Sequence, residues 1–281
     1  MEKLLIVDGS NLLFQMFYGM PARIVNHRGK AIQGTLGFVG ALLKMIRMVS
    51  PTHLAVLFDG EVHNPRTELD SDYKGNRPDY SAAPEEESPF SQLPDIFAAL
   101  DQLGIRWAET RVCEFDDWAA GYAYAATPER QVVIASQDSD FYQLISDHVT
   151  VLRYRGEMST LCTPDWVREK LGIEPEQYAC FKSLTGDGSD NIKGAHKVGP
   201  KTAAALLRQF GSLERILTDW EQIQKPSVRA AIRADAQRLE RNYALIKLGP
   251  GAPLPFSPEQ LRWQYSGQTT TEVLRAIGLR E

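Results

Sequence analysis

Residues 4–8 read Leu4-Leu5-Ile6-Val7-Asp8, four apolar positions closed by a carboxylate. The same form recurs in Leu54-Ala55-Val56-Leu57-Phe58-Asp59. It recurs again in Val132-Val133-Ile134-Ala135-Ser136-Gln137-Asp138-Ser139-Asp140. Short apolar runs bounded by turn residues, with helical stretches between them, read as buried parallel strands. The fold class that follows is α/β, a doubly wound and mainly parallel sheet. In such sheets ligands bind beyond the carboxyl ends of the strands. Three strands that end in acid therefore aim acid at one place.

Two further acidic clusters lie in turn-rich or helix-starting stretches, Glu114-Phe115-Asp116-Asp117 and Asp187-Gly188-Ser189-Asp190. So many carboxylates share a dry site only when cations neutralise them. The economical reading is a hard divalent metal site for two ions, since oxygen donors suit magnesium and each ion needs only one or two direct carboxylates. Each cluster alone has a plainer reading. Acids at a helix start complement the helix dipole, and Asp187 to Asn191 alone is also an Asx turn. The five clusters together are hard to obtain by accident.

The chain of 281 residues carries a net charge of −5. Without the nine clustered acids the remainder carries +4, so global charge does not exclude a nucleic-acid partner. No run of about 18 apolar residues suggests a membrane span. The start turns acidic too soon for a signal peptide. Cys113, Cys162 and Cys180 are an odd number without metal spacing, which suits a reducing cytoplasm.

The alternating β and α texture extends to about residue 163. Beyond it, helices are expected over 164–171, 175–184, 200–210, 212–220 and 226–246, several opening on proline. The division expected is an α/β core over 1–170 and a helical DNA-binding subdomain over 171–281, with a hairpin at 191–203. Residues 60–94 lack periodicity, and a stretch that long inside a compact domain is usually functional.

Three constellations suit nucleic acid. In Gly194-Ala195-His196-Lys197-Val198-Gly199-Pro200-Lys201-Thr202, the glycines frame a tight hairpin. Pro200 then opens a helix whose free N–H groups, with Lys201 and Thr202, can hold a phosphate. Pro200 stands where a P-loop needs lysine, so nucleotide triphosphate binding is rejected. Taken alone, the segment is equally an ordinary connection between helices. Arg66, Tyr73, Lys74 and Arg77 interleave base and aromatic as single-stranded contacts require. Lys225, Arg229 and Arg233 share one helix face, which suits duplex phosphates and equally a solvated surface.

The motifs Val7-Asp8-Gly9, Phe58-Asp59, Tyr73-Lys74-Gly75-Asn76-Arg77, Glu114-Phe115-Asp116-Asp117, Asp138-Ser139-Asp140, Thr185-Gly186-Asp187-Gly188-Ser189-Asp190-Asn191 and Val198-Gly199-Pro200-Lys201-Thr202 together resemble the 5′-nuclease superfamily. The likeness spans about residues 4–248 and points to the 5′–3′ exonuclease domain of bacterial DNA polymerase I and its free-standing relatives, with flap endonucleases as more distant kin. It implies a PIN-like core, a helical arch over 60–94 and a helix–hairpin–helix element. It implies one metal site from Asp8, Asp59, Glu114 and Asp116 and a second from Asp138, Asp140, Asp187 and Asp190, with Asp117 linking or supporting them. Lys74 and Arg77 match the basic pair that engages the scissile phosphate, and Tyr73 a base-stacking aromatic beside Arg66. Lys193, Gly194, His196, Lys197, Gly199, Lys201 and Thr202 match the duplex-gripping hairpin. In the family that hairpin often binds potassium. Here Lys197 stands where glycine is common, which bears against that ion.

The function implied is a magnesium-dependent 5′ nuclease acting on flaps, pseudo-Y junctions, nicks and gaps, as a monomer, with manganese able to substitute. RNA-containing 5′ ends stay open as substrates. Two other classes are weighed. A structure-sensing DNA-binding protein without turnover gains nothing from nine converging acids. A small-substrate phosphohydrolase needs neither the hairpin nor the basic arch.

Overall fold

The computed structural model describes residues 1–60, 66–76, 84, 88–111 and 113–281. Strand β1 (Glu2–Asp8) leads into helix α1 (Gly9–Gly19), followed by α2 (Gln33–Val49) and β2 (His53–Phe58). After α3 (Arg66–Leu69) come α4 (Leu93–Gln102), β3 (Arg106–Glu109), α5 (Phe115–Tyr124), β4 (Arg130–Ala135) and β5 (Val149–Arg153). The sheet order is β3-β2-β1-β4-β5, all parallel. A sixth strand, β6 (Thr160–Cys162), joins β5 antiparallel at the edge. At three residues with one side exposed, β6 carries too little pattern to be read from sequence.

Successive strand residues point to opposite faces, and both faces are buried. Leu5, Val7, Leu54, Val56, Phe58, Val133 and Leu152 pack against α1, α2 and α4. Leu4, Ile6, Ala55, Leu57, Val132, Ile134 and Val151 pack against α5 and the later helices. This two-sided burial is why the strands read as unbroken apolar runs, and it makes the sheet doubly wound. The direction in which strands are added reverses at β1, with β2 and β3 laid down on one side of it and β4 and β5 on the other. A crevice opens at such a switch point.

The remainder is helical: α6 (Pro164–Leu171), α7 (Tyr178–Thr185), α8 (Pro200–Phe210), α9 (Leu213–Thr218) and α10 (Pro226–Ile246). Between α7 and α8 a two-stranded ribbon forms, β7 (Gly186–Asp187) against β8 (Ile192–Lys193). The polar run at 185–191 is thus partly strand, closed by an Asx turn in which the Ser189 N–H donates to Asp187 Oδ1 at 2.9 Å. The core on this face is continuous, with Ala203, Leu207, Ile216 and Ile232 joining the strand residues. The tail then wraps the sheet. Trp118 Nε1 donates to Pro253 O and Tyr122 Oη to Phe256 O on one face. Trp263 Nε1 donates to Leu103 O, and α11 (Thr270–Ala276) packs on α2 and α4 on the other.

Two glycines meet back to back where the ribbon leaves α7. A Cβ on Gly194 would lie 2.5 Å from Gly186 N and from Leu184 O, and Gly186 itself has φ +81°. Backbone on both sides leaves nothing to yield. Gly194→Ala is therefore expected to cost about 3 kcal/mol, at the upper end of overpacking penalties, read as a lowered urea midpoint.

A candidate metal centre at the sheet switch point

Asp8 ends β1 and caps α1. Its Oδ1 accepts the Asn11 N–H at 2.9 Å, and its Oδ2 accepts the Ser136 hydroxyl at 2.8 Å. That second bond spans the switch point between β1 and β4. Asp59 follows β2; its Oδ1 accepts the Phe115 N–H at 2.8 Å, tying the second strand end to the start of α5. Ser136 Oγ also accepts the Asp138 N–H at 3.0 Å, and Asp138 Oδ1 accepts the Asp140 N–H at 2.8 Å. Asp140 opens a short 3-10 helix, Asp140–Leu144.

These acids form one electrostatic field. Burial, then Asp59 and Asp138, pushes the Asp8 carboxyl up to about 7. Burial, then Asp138, raises Asp116 well above the carboxylate range. Burial, then Asp138, raises Asp140 to about 8, with Asp187 and Asp190 adding to it. Asp138 is raised by burial and feels Asp190. Asp138 is therefore the carboxylate that couples the strand-end acids to those of the ribbon. One oxygen each of Asp140, Asp187 and Asp190 lies within 4.8 Å of the others. Asp140 Oδ1 is buried without a hydrogen-bond partner. An all-oxygen donor set with an orphaned buried oxygen fits a hard divalent cation.

Glu114 is held differently. Both Arg66 and Lys74 pair with its carboxylate, and the Tyr73 hydroxyl lies 3.5 Å from it. Asp117 receives Arg66 at 2.7 Å and the Glu114 N–H at 3.1 Å, so it supports Glu114. Burial opposes the Arg66 charge, but Glu114 and Asp117 outweigh it and hold its pKa above the ordinary value. Two residues of the expected DNA-contact set are packed inside the protein here. Tyr73 is 6 % exposed and packed against Ala179, Ile192, Leu245 and Ile246. Arg66 pairs with two carboxylates and donates to Leu245 O at 3.1 Å.

Lys74 adopts a left-handed backbone, φ 57°, and its N–H donates to Asp190 O at 3.1 Å. Asn76 Nδ2 donates to Gly188 O, and Asn191 Nδ2 to Asp72 O, both at 2.9 Å. The 72–76 turn is thus clipped to the acidic ribbon. Strained backbone held by such contacts is typical of functional sites. Arg77, the Pro84-Glu85-Glu86-Glu87 run apart from Pro84, and much of the arch expected over 60–94 lie outside the described residues.

In the hairpin, Lys193, His196, Lys197, Gly199 and Lys201 are exposed, Thr202 half-buried, and Gly194 sits in the tight contact above. Lys197 takes φ 62°, the left-handed geometry that glycine adopts without cost. Asp235 accepts the His196 N–H at 3.1 Å and pairs with Arg238, which also donates to Gly194 O. These braces from α10 have no local signal in the sequence. On the same helix Arg233 stacks on Trp220 at 5.0 Å, and Arg229 donates to Glu221 O.

The observation that decides the family is the match of both halves. Residues 3–172 match the 5′-3′ exonuclease N-terminal resolvase-like domain, and residues 173–269 match the 5′-3′ exonuclease C-terminal SAM fold. The chain belongs to the 5′–3′ exonuclease family. It is 35% identical to the thermostable DNA polymerase I of Thermus thermophilus over 92% of the chain, and 37% identical to DNA polymerase I of Mycobacterium bovis over 93%. It spans about 30% of the length of these relatives. Among solved structures, T5 5′-exonuclease with bound divalent metal ions (zinc) has a TM-score of 0.72 at 24% identity, covering 89% of this chain and 90% of that one. The catalytic core of Rad2 in complex with DNA substrate has a TM-score of 0.60 at 14% identity, covering 98% and 86%. At these identities the likeness is one of fold. No helix among the described residues is long and apolar enough to cross a membrane.

One buried side chain in the motif that follows Asp140 holds this acidic site to the helical half of the chain. Gln143 Nε2 donates to Asp140 O at 2.9 Å and Ile246 O at 3.0 Å, and its Oε1 accepts the Leu248 N–H at 2.9 Å. Gln143→Leu orphans all three backbone groups. The expected cost is about 3 kcal/mol, since each unpaired buried group costs on the order of 1–3 kcal/mol. Denaturant unfolding checks it.

Proposed function

We propose that the chain hydrolyses DNA phosphodiesters near 5′ ends, at flaps, pseudo-Y junctions, nicks and gaps, using two magnesium ions. The observation that carries this reading is the cluster of buried and half-buried acids at the switch point, with Asp59 exposed at its rim, joined by Asp138 and flanked by Lys74. Asp8, Asp59, Glu114 and Asp116 would hold one ion, and Asp138, Asp140, Asp187 and Asp190 the other. Bound magnesium supplies an acidified water and neutralises charge developing at the phosphate, and manganese can take its place.

The protein's own groups do the rest. Lys74, half-buried beside Glu114, provides a cation at the scissile phosphate, with Arg77 as its partner. Exposed Lys193, Lys197 and Lys201, with the uncapped start of α8 at Gly199, grip duplex backbone. His196 and Thr202 add donors. Potassium at the hairpin carbonyls is the minor element of the reading, since Lys197 already supplies positive charge there. The T5 protein, which has been captured with DNA and metal ions in a pseudo-enzyme-product complex, lends support. A bacterial-type cytoplasmic monomer is the working state, with RNA-containing 5′ ends as possible additional substrates.

A 5′-labelled flap incubated with magnesium tests the reading, with chelator alongside. Short labelled products that vanish with chelator support it. Tight, salt-sensitive binding without products, in manganese as well, replaces it with a DNA-binding protein that has no turnover. Lys74→Ala is expected to slow turnover at saturating DNA by about 100-fold, the scale of losing one preorganised electrostatic contact to the transition state. Single-turnover rates check it.

A further inference from the structure

Lys182 was not singled out by any pattern in the sequence, yet it lies inside the acidic site. It projects from the last turn of α7, and its side chain is 12 % exposed. Its ammonium pairs with Asp187 Oδ2 and lies 3.7 Å from Asp140 Oδ1, the orphaned buried oxygen. Burial works against its charge, while Asp140 and Asp187 hold it on.

The two oxygens of Asp187 have different fates. Oδ1 accepts the Ser189 N–H at 2.9 Å and the Ser189 hydroxyl at 2.5 Å. Oδ2 is the one turned to Lys182. Oδ1 already accepts two bonds, so a divalent ion entering among Asp140, Asp187 and Asp190 finds its freer Asp187 oxygen at Oδ2, the one the ammonium holds. Two cations do not share one carboxylate oxygen in a buried site without strong repulsion.

On the metal reading proposed above, we infer that Lys182 is a resident counter-cation that competes with the divalent ion for Asp187 Oδ2. It keeps the metal-free acids together and makes this half of the centre the weaker-binding half. Its flexible four-carbon stem lets the ammonium move aside when metal enters. Lys182 acts on the centre through Asp187 and Asp140, which makes it a positioning residue.

Calorimetric titration of the DNA-free protein with Mn2+ tests this, with Lys182→Met, Lys182→Arg and Asp190→Asn beside the unaltered chain. The expected result is two binding events in the unaltered protein, the weaker one lost in Asp190→Asn. Lys182→Met is expected to tighten that weaker event at least tenfold, and Lys182→Arg to leave it weak. An unchanged or vanished weaker event in Lys182→Met overturns the competition while the metal site stands. Two intact events in Asp190→Asn remove the site itself, and the competition with it. If Lys182→Met is unfolded without metal, Mn2+-induced refolding followed by circular dichroism decides. Refolding below the unaltered protein's weaker dissociation constant supports competition, and failure to refold at saturation overturns it.

Discussion

Asp140→Asn is expected to lower flap cleavage by at least about 1,000-fold, some 4 kcal/mol of barrier, while DNA affinity measured with calcium changes less than about threefold. The two readouts separate because of where Asp140 lies. It is buried at the head of a 3-10 turn, and its Oδ1 has no hydrogen-bond partner. The exposed hairpin lysines that would grip duplex stand on a different segment. An asparagine fits the same space but brings no charge to a cation. The same substitution is expected to stabilise the metal-free fold, because burial and the charges of Asp138, Asp187 and Asp190 disfavour a charge at Asp140 more than Lys182 favours it. Loss of turnover with a raised melting temperature is the signature of a site that holds repulsion for function. A variant that keeps full turnover removes Asp140 from the centre. A variant that melts earlier makes its role structural.

The strand ends are the part of this site written openly in the sequence. An apolar run of four or five residues with an aspartate at or just beyond its end has one geometry in a parallel sheet, so Asp8, Asp59 and Asp138 come together from pattern alone. Both faces of that sheet are legible for the same reason, since Leu4 and Leu5 alternate sides and both must be apolar. What supports the acids is not legible. Ser136 bridges Asp8 and Asp138, but a serine after a strand has no signature. Gln143 joins segments 103 and 105 residues apart through backbone atoms, which carry no sequence identity. Lys182 and Arg66 look like ordinary solvated cations until folding buries them on carboxylates. The tail from Ala252 to Ala276 lacks periodicity because it straps two faces of the sheet in turn rather than presenting one face of its own.

The metal-free protein is expected to lose stability as pH rises from about 5.5 to 8.5, by several kcal/mol and about 10 °C in melting temperature. The sign follows from the direction of the shifts. Asp8 and Asp140 stand at about 7 and about 8 in the folded chain, while in the unfolded chain both titrate near the ordinary carboxylate value of about 4. Between those limits the folded state holds protons that the unfolded state has lost. Stability is therefore greatest at the acid end of the window and declines until pH passes the folded values. Asp116, raised by burial and by Asp138, adds to the slope. His53 opposes it, because burial holds its ring below the usual histidine range, so the unfolded state takes up its proton first on acidification. Asp187 is depressed, burial being outweighed by Lys182 and Ser189, and it stays ionised in both states throughout the window. Magnesium should reverse the trend, since it binds the ionised acids. Its stabilisation is expected to be larger at pH 8.5 than at 5.5, and its binding near neutrality to release protons. Calorimetry in buffers of different ionisation enthalpy reads that release directly, and Asp140→Asn should reduce it. A melting temperature flat across the window, with no protons released, would mean the acids are solvated and never shared one field.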